Sequence, residues 1–354
     1  MKFKTGLTAM FCAMLGATAF ATTANAAKIG VSMPTQSLQR WNQDGSNMKA
    51  MLEQAGYDVD LQYAGDNDIP TQVNQIENMI ASDCDVIVIA SIDGSALTEV
   101  LKGAKDKSIP VIAYDRLIMN SDAVSYYATF DNTKVGRLQG QFIVDALDLA
   151  NAKEPLNIEL FTGPTDDNNV NFFWGGAMEV LKPYLDKGVL KVPSGQVEKE
   201  QCATLNWNLE EAQKRMENII SSVSYGPEDT PLAAVLTQND ALACGVANAL
   251  LATGYDNTNM PVLTGQDCDK PAVKNIKRGY QAMSVFKDTR TLATQVVKMV
   301  DAIVKGEKVE VNDTTTYNNG TGVIPSFLCE PVAATKDNYQ KLLVESGYYT
   351  EDEL

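Results

Sequence analysis

The sequence predicts an α/β protein of two lobes, each a doubly wound parallel sheet. Short β-rich runs alternate with segments of helical period along nearly the whole chain, the pattern of strand–helix–strand units with right-handed crossovers. Val86-Ile87-Val88-Ile89-Ala90 is continuously apolar, as a strand covered by helices on both faces requires. The 354 residues, 45% of them hydrophobic, exceed what one core usually serves, so two domains are expected.

The elements follow in order. Residues 28–33 read as the first strand, and 41–54 carry helical spacing that stops at Gly56. Residues 57–63 alternate as a second strand. Pro70 opens a helix to about Ala81, with Val73, Ile76, Met79 and Ile80 on one face. After strand 86–90 come a helix over 95–107 and strands over 111–113 and 124–128. The rhythm then repeats. Asp131-Asn132 caps a helix to about Leu149, strand 157–161 precedes helix 169–185, and helix 209–222 precedes strand 232–236. Helix 240–251, strand 261–264, helix 270–277, strand 282–286 and helix 289–304 complete the pattern. No short tandem repeat and no low-complexity tract interrupts it.

In parallel α/β sheets, ligands bind outside the carboxyl ends of the strands. Those ends are loaded with polar residues: the segments 32–41, Ser91-Ile92-Asp93-Gly94, Tyr114-Asp115-Arg116, 162–169, Thr237-Gln238-Asn239-Asp240, Gly265-Gln266-Asp267 and Lys287. A sugar needs such a set. Its hydroxyls both donate and accept, which suits bidentate Asp, Asn, Gln and Arg. Its C–H faces suit an aromatic slab, and Trp41, Trp174 and Trp207 each lie in or beside a polar segment. Asp and Asn also favour helix N-termini, so any one of these residues could equally be a cap.

Catalysis is not expected. There is no histidine, which removes the Ser-His-Asp and Cys-His schemes and histidine metal sites. No nucleophile elbow, Walker A loop or dinucleotide fingerprint is present. Asp166-Asp167 reads as a loop and helix-start element, since adjacent carboxylates rarely flank a scissile bond. Asp66-Asn67-Asp68 begins like a calcium loop but lacks the later glycine and glutamate. No metal and no cofactor is therefore expected.

The net charge of −16 argues against nucleic acid and anionic membrane as partners. Residues 1–26 form a basic start, an apolar run and Ala24-Asn25-Ala26, the secretory pattern, with cleavage expected after Ala26. The mature chain would be soluble. It would keep Cys84, Cys202, Cys244, Cys268 and Cys329, an odd number with no C-x-x-C spacing. Cys84 and Cys244 lie in apolar context and should be buried; Cys202 and Cys268 are candidates for a pair.

Several segments together resemble one family. They are Arg40-Trp41, Asp68-Ile69-Pro70, Ala90-Ser91-Ile92-Asp93-Gly94, Ala113-Tyr114-Asp115-Arg116-Leu117, Phe130-Asp131-Asn132, Asp166-Asp167-Asn168-Asn169, Gly265-Gln266-Asp267 and Val285-Phe286-Lys287-Asp288. The chain from about Lys28 onward is similar to the type I periplasmic sugar-binding proteins, the ribose, xylose and galactose receptor group. The resemblance implies two lobes joined by a three-crossover hinge: 27–131 with 288–316 as the N-terminal lobe, and 132–287 with 317–354 as the C-terminal lobe. It places Arg40, Asp93, Asp115 and Arg116 on the N-lobe wall, with Trp41 as an aromatic slab. It places Asn168, Trp207, Asn239 and Asp267 on the C-lobe wall, and Lys287 at the hinge. It implies a monomeric periplasmic receptor for a monosaccharide of the glucose, galactose, xylose or arabinose class. Its partners would be an ABC permease and its ATPase, and alternatively a chemoreceptor or sensor kinase. Asn239-Asp240 departs from the Asp-Gly of multiple-sugar receptors and is like the xylose receptors, which leaves the sugar range open.

Overall fold

The computed structural model describes Met1 and residues 26–354; the leader read over 1–26 lies almost wholly outside the described residues. The first half of the chain runs β1 (Lys28–Met33), α1 (Gln39–Gln54), β2 (Asp58–Tyr63), α2 (Ile69–Ala81), β3 (Val86–Ile89), α3 (Thr98–Asp106), β4 (Val111–Tyr114) and β5 (Val124–Phe130). Then come α4 (Asn132–Ala146), β6 (Leu156–Phe161), α5 (Asn169–Asp186), β7 (Leu190–Lys191), α6 (Lys199–Cys202), α7 (Leu209–Val223) and β8 (Ala234–Thr237). The chain continues through α8 (Asp240–Ala252), β9 (Val262–Leu263), α9 (Lys270–Arg278), β10 (Met283–Phe286), α10 (Thr289–Lys305), β11 (Ser326–Cys329) and β12 (Val332–Thr335). Every strand and helix read from the pattern is present, with ends shifted by a few residues. The short β7, α6, β11 and β12 were not foreseen. Each is four residues or fewer, too short to show a period.

Two sheets form two lobes. The N-lobe sheet is ordered β2-β1-β3-β4-β5-β11, all parallel. The C-lobe sheet is ordered β7-β6-β8-β9, and β10 joins beyond β9 through bonds such as Val285 N to Gly265 O. β12 closes this edge antiparallel to β10, so the all-parallel expectation fails for that one strand. The central strands β3, β4 and β8 are buried along their whole length, as their apolar runs predict.

Three crossovers connect the lobes: β5 to α4, β10 to α10, and β11 to β12. The first two are turned by capped helices. The Asp131 carboxylate accepts from Lys134 N at 2.9 Å, and that of Asp288 accepts from Arg290 N at 3.0 Å. The third corrects the expected boundary. The resemblance groups residues 317–354 with the C-terminal lobe, but β11 pairs with β5. Tyr317 packs edge-on against Tyr127 of β5 at 5.0 Å. Residues 317–329 thus belong to the N-terminal lobe, and the crossing falls at Glu330-Pro331. No helix separates β11 from β12, so the alternation that marks the other crossings is missing there.

All five cysteines in the described residues are buried and unpaired. Cys202 packs in the core under β6 while Cys268 sits with Phe286 and Leu343, so the Cys202–Cys268 pair does not form. Asp68 caps α2, its carboxylate accepting from Thr71 N, and Asp66 accepts from Thr35 and Ser37. No helix among the described residues is long and apolar enough to cross a membrane.

Candidate functional site

The carboxyl ends of both sheets face each other across one narrow cleft lined by side chains of both lobes.

Arg40, in the first turn of α1, is the centre of the N-lobe wall. Its Nη2 lies 2.9 Å from Asp115 Oδ1, its Nε 2.9 Å from Asp44 Oδ2, and its Nη1 3.4 Å from Asp267 Oδ1 across the cleft. Burial alone would raise the Asp115 carboxyl, but the charges of Arg40, Lys287 and Arg116 outweigh it and hold that group below the usual carboxylate range. Burial likewise opposes the charge on Arg40, and Asp115, Asp44 and Asp267 more than compensate. Trp41 is buried, with the guanidinium carbons of Arg40 and Arg116 at 4.7 Å and 5.2 Å from its ring centroid. Arg116 donates to the carbonyls of Ser91 and Ile92 and pairs with Asp167 at 3.0 Å.

The C-lobe wall is built from three strand-end segments and one 3-10 turn. Trp207 ends a short 3-10 turn, and its Nε1 donates to Asp167 Oδ2 at 3.1 Å. Asn239 caps α8, its Oδ1 accepting from Leu242 N at 2.9 Å, and it also lines the cleft. Gln266 and Asp267 follow β9, and Lys287 follows β10 at the second crossover, with Nζ 2.8 Å from Asp267 Oδ1. Asp267 is therefore not a helix cap: α9 has Asp269 at that position, and the Asp267 carboxylate is held by two cations. Asp115, Trp207 and Asp267 all have positive φ, at 60°, 55° and 95°, a strained conformation for non-glycine residues that concentrates at ligand sites.

Of the residues expected from the sequence, the cleft gathers Arg40, Trp41, Asp115, Arg116, Trp207, Asn239, Asp267 and Lys287. Asp93 and Asn168 do not line it. The Asp93 carboxylate accepts from Ser95 N and Oγ, closing a local turn, and Asn168 Oδ1 accepts from Asn171 at the outer start of α5. Their places are taken by Asp167 and Asn169. Asp167 begins α5 by accepting from Asn169 N while it faces Arg116 and Trp207. Asn169 donates to Asp115 O and accepts from Tyr127 of the opposite lobe. Phe173 and Gln266 also line the cleft. Gln266 sat in a strand-end segment already marked, whereas Phe173 looks like any core position of a helix. Asp240 is fully buried behind the wall, bonded by Gln281, Ser284 and Asp269 N. Burial, then the charges of Asp269 and Asp267, push its carboxyl well up.

Glycine supports this wall at one point. A Cβ on Gly163 would stand 2.1 Å from the Trp207 ring. Gly163→Ala should therefore displace Trp207 and lower stability by about 1–3 kcal/mol, read by urea denaturation; an unchanged midpoint would show that the ring is not wedged there.

A Periplasmic binding protein domain model matches residues 29–308. The chain belongs to that family. This periplasmic binding protein is 50% identical to the multiple sugar-binding periplasmic receptor ChvE of Rhizobium radiobacter, over 99% of this chain and 98% of that one. It is 36% identical to the D-xylose-binding periplasmic protein of Escherichia coli (strain K12), over the full length of both. Its structure is similar to that of an ABC transporter solute-binding protein of Clostridium phytofermentans with bound β-D-glucose, at 60% identity and a TM-score of 0.89, covering 92% of this chain and 99% of that one. The architecture is accordingly the type I fold of the family, two α/β lobes joined by crossover strands, typical of non-catalytic transport receptors.

Proposed function

We propose that this protein is an exported receptor that closes on one monosaccharide and delivers it to an ABC-type sugar importer. The observation that carries the reading is the cleft between Arg40 with Asp115 on one lobe and Asp267 with Asn239 on the other, bounded by Trp41 and Trp207. Paired carboxylates and a guanidinium fork fit vicinal hydroxyls, and the indoles fit the apolar faces of a pyranose. The β-D-glucose bound by the Clostridium relative and the D-xylose named for the Escherichia coli receptor support a range that includes D-glucose and D-xylose. Calorimetry against D-glucose, D-galactose, D-xylose and L-arabinose tests it; failure of all four to bind would refute the reading.

Residues of both lobes contribute, so a sugar that touches both walls stabilises the closed form by its differential contacts. Small-angle scattering should show compaction on saturation, and a radius of gyration unchanged by a sugar that binds would refute closure. Trp207 is proposed as the stacking partner; Trp207→Ala should weaken binding and remove much of the fluorescence change.

Three finer points belong to the same proposal: cleavage of the leader after Ala26, a monomeric state, and a second role in signalling to a chemoreceptor or sensor kinase. N-terminal sequencing of the exported protein reads the first, and a sugar-dependent chemotaxis assay on a strain lacking the receptor reads the last.

A further inference from the structure

We infer that Asp44, one turn after Arg40 on α1, is a positioning residue for sugar recognition: it fixes the guanidinium so that the other N–H groups of Arg40 face the cleft. The inference rests on the sugar-receptor reading. Asp44 itself is fully buried and does not line the cavity. One of its oxygens takes Arg40 Nε at 2.9 Å, and the other is bonded by the Tyr114 hydroxyl of β4. With Nε tied inward, only Nη1 and Nη2 remain to reach Asp267 and Asp115. A guanidinium is planar and rigid, so anchoring one edge orients the opposite edge. Without that anchor the guanidinium would be free to turn out of the plane that presents Nη1 and Nη2 to Asp267 and Asp115, the carboxylates proposed to hold the sugar hydroxyls.

The titratable groups that face Asp44 come from several elements. Arg40 is on its own helix, Tyr114 on β4, Asp115 just after β4, Tyr63 on β2 and Tyr348 in the C-terminal segment. Arg40 is the one cation among these described groups. Burial, only partly offset by Arg40 and aggravated by Asp115, pushes the Asp44 carboxyl up to about 6. Asp44 is thus an anion at pH 7.5 and neutral at pH 5, where its hold on Arg40 weakens. Stability runs the other way. An acid with a raised folded pKa takes up a proton on folding between about 4 and 6, so its contribution to stability rises as pH falls through that window. Affinity falling while the Asp44 share of stability rises separates positioning from general loosening.

The test is calorimetry with the four monosaccharides named above at pH 7.5, 6.5, 5.5 and 5.0, on the wild type, Asp44→Asn and Tyr114→Phe. The wild type should lose about tenfold in affinity from pH 7.5 to 5.0. Asp44→Asn should start about tenfold weaker at pH 7.5 and lose less on acidification. Urea denaturation of the same pair should show the wild type gaining stability relative to Asp44→Asn as the pH falls. Tyr114→Phe removes a donor to the carboxylate, so its affinity midpoint should move to higher pH. Wild-type affinity in Asp44→Asn, parallel pH profiles for the two, or an unmoved midpoint in Tyr114→Phe would each overturn the inference. Absence of sugar binding by the wild type would instead remove the receptor reading, and this inference with it.

Discussion

Asp267→Ala should weaken monosaccharide binding by roughly two orders of magnitude or more. A carboxylate between Arg40 and Lys287 can accept from two ring hydroxyls, and charge-assisted bonds of this kind are worth about 1.5–3 kcal/mol each. Its removal also leaves hydroxyls unpaired in a site from which water is excluded, which adds to the loss. The geometry extends the expectation to stability. Lys287 is buried and 2.8 Å from the lost carboxylate, so the alanine variant should also unfold more easily. Asp267→Asn keeps the shape and one acceptor oxygen, and should fall between wild type and alanine in affinity. Calorimetry and urea denaturation on both variants measure the two effects; wild-type affinity in Asp267→Ala would exclude Asp267 as a sugar ligand.

Arg40→Ala should cost about 3–5 kcal/mol of stability, the usual penalty for leaving a buried ion pair half unmade, and should abolish measurable binding. Arg40 touches Asp44, Asp115 and Asp267 together, so its loss leaves three carboxylates crowded around one vacated position. Arg40→Lys should recover little, because a single ammonium cannot address three separated carboxylates as a planar fork does. Denaturant unfolding of the two variants reads the stability term, and a lysine variant that binds sugar like the wild type would show that charge alone suffices. Buried ion networks are not in general stabilising relative to an apolar core. Under the proposed function, this one serves as a recognition surface whose charges are held ready before the sugar arrives.

The sequence by itself determined the two-lobe α/β plan, because a doubly covered sheet demands continuous apolar strands and the crossover helices demand a 3.6-residue period. Val86-Ile87-Val88-Ile89 and the 70–81 face carry those signals locally. It also determined where to look, since the carboxyl ends of parallel strands are known once the strands are. That rule points to Arg40, Asp115, Arg116, Asn239, Asp267 and Lys287, all of which line the cleft. What it could not determine is which way a loop residue turns. Asp93 and Asn168 sit in polar strand-end loops like the others, yet both satisfy neighbours within three residues, while Asp167 and Asn169 turn inward to the opposite lobe. The β11–β12 crossover was equally illegible, because two four-residue strands with no helix between them have no period to read. Asp44 shows the same limit from another side. Along α1 it is simply a polar residue four positions from an arginine, a spacing more often found on a solvated face. Only tertiary packing, which closes Tyr114 over it and removes its water, decided that this carboxylate stands buried behind the arginine of the cleft.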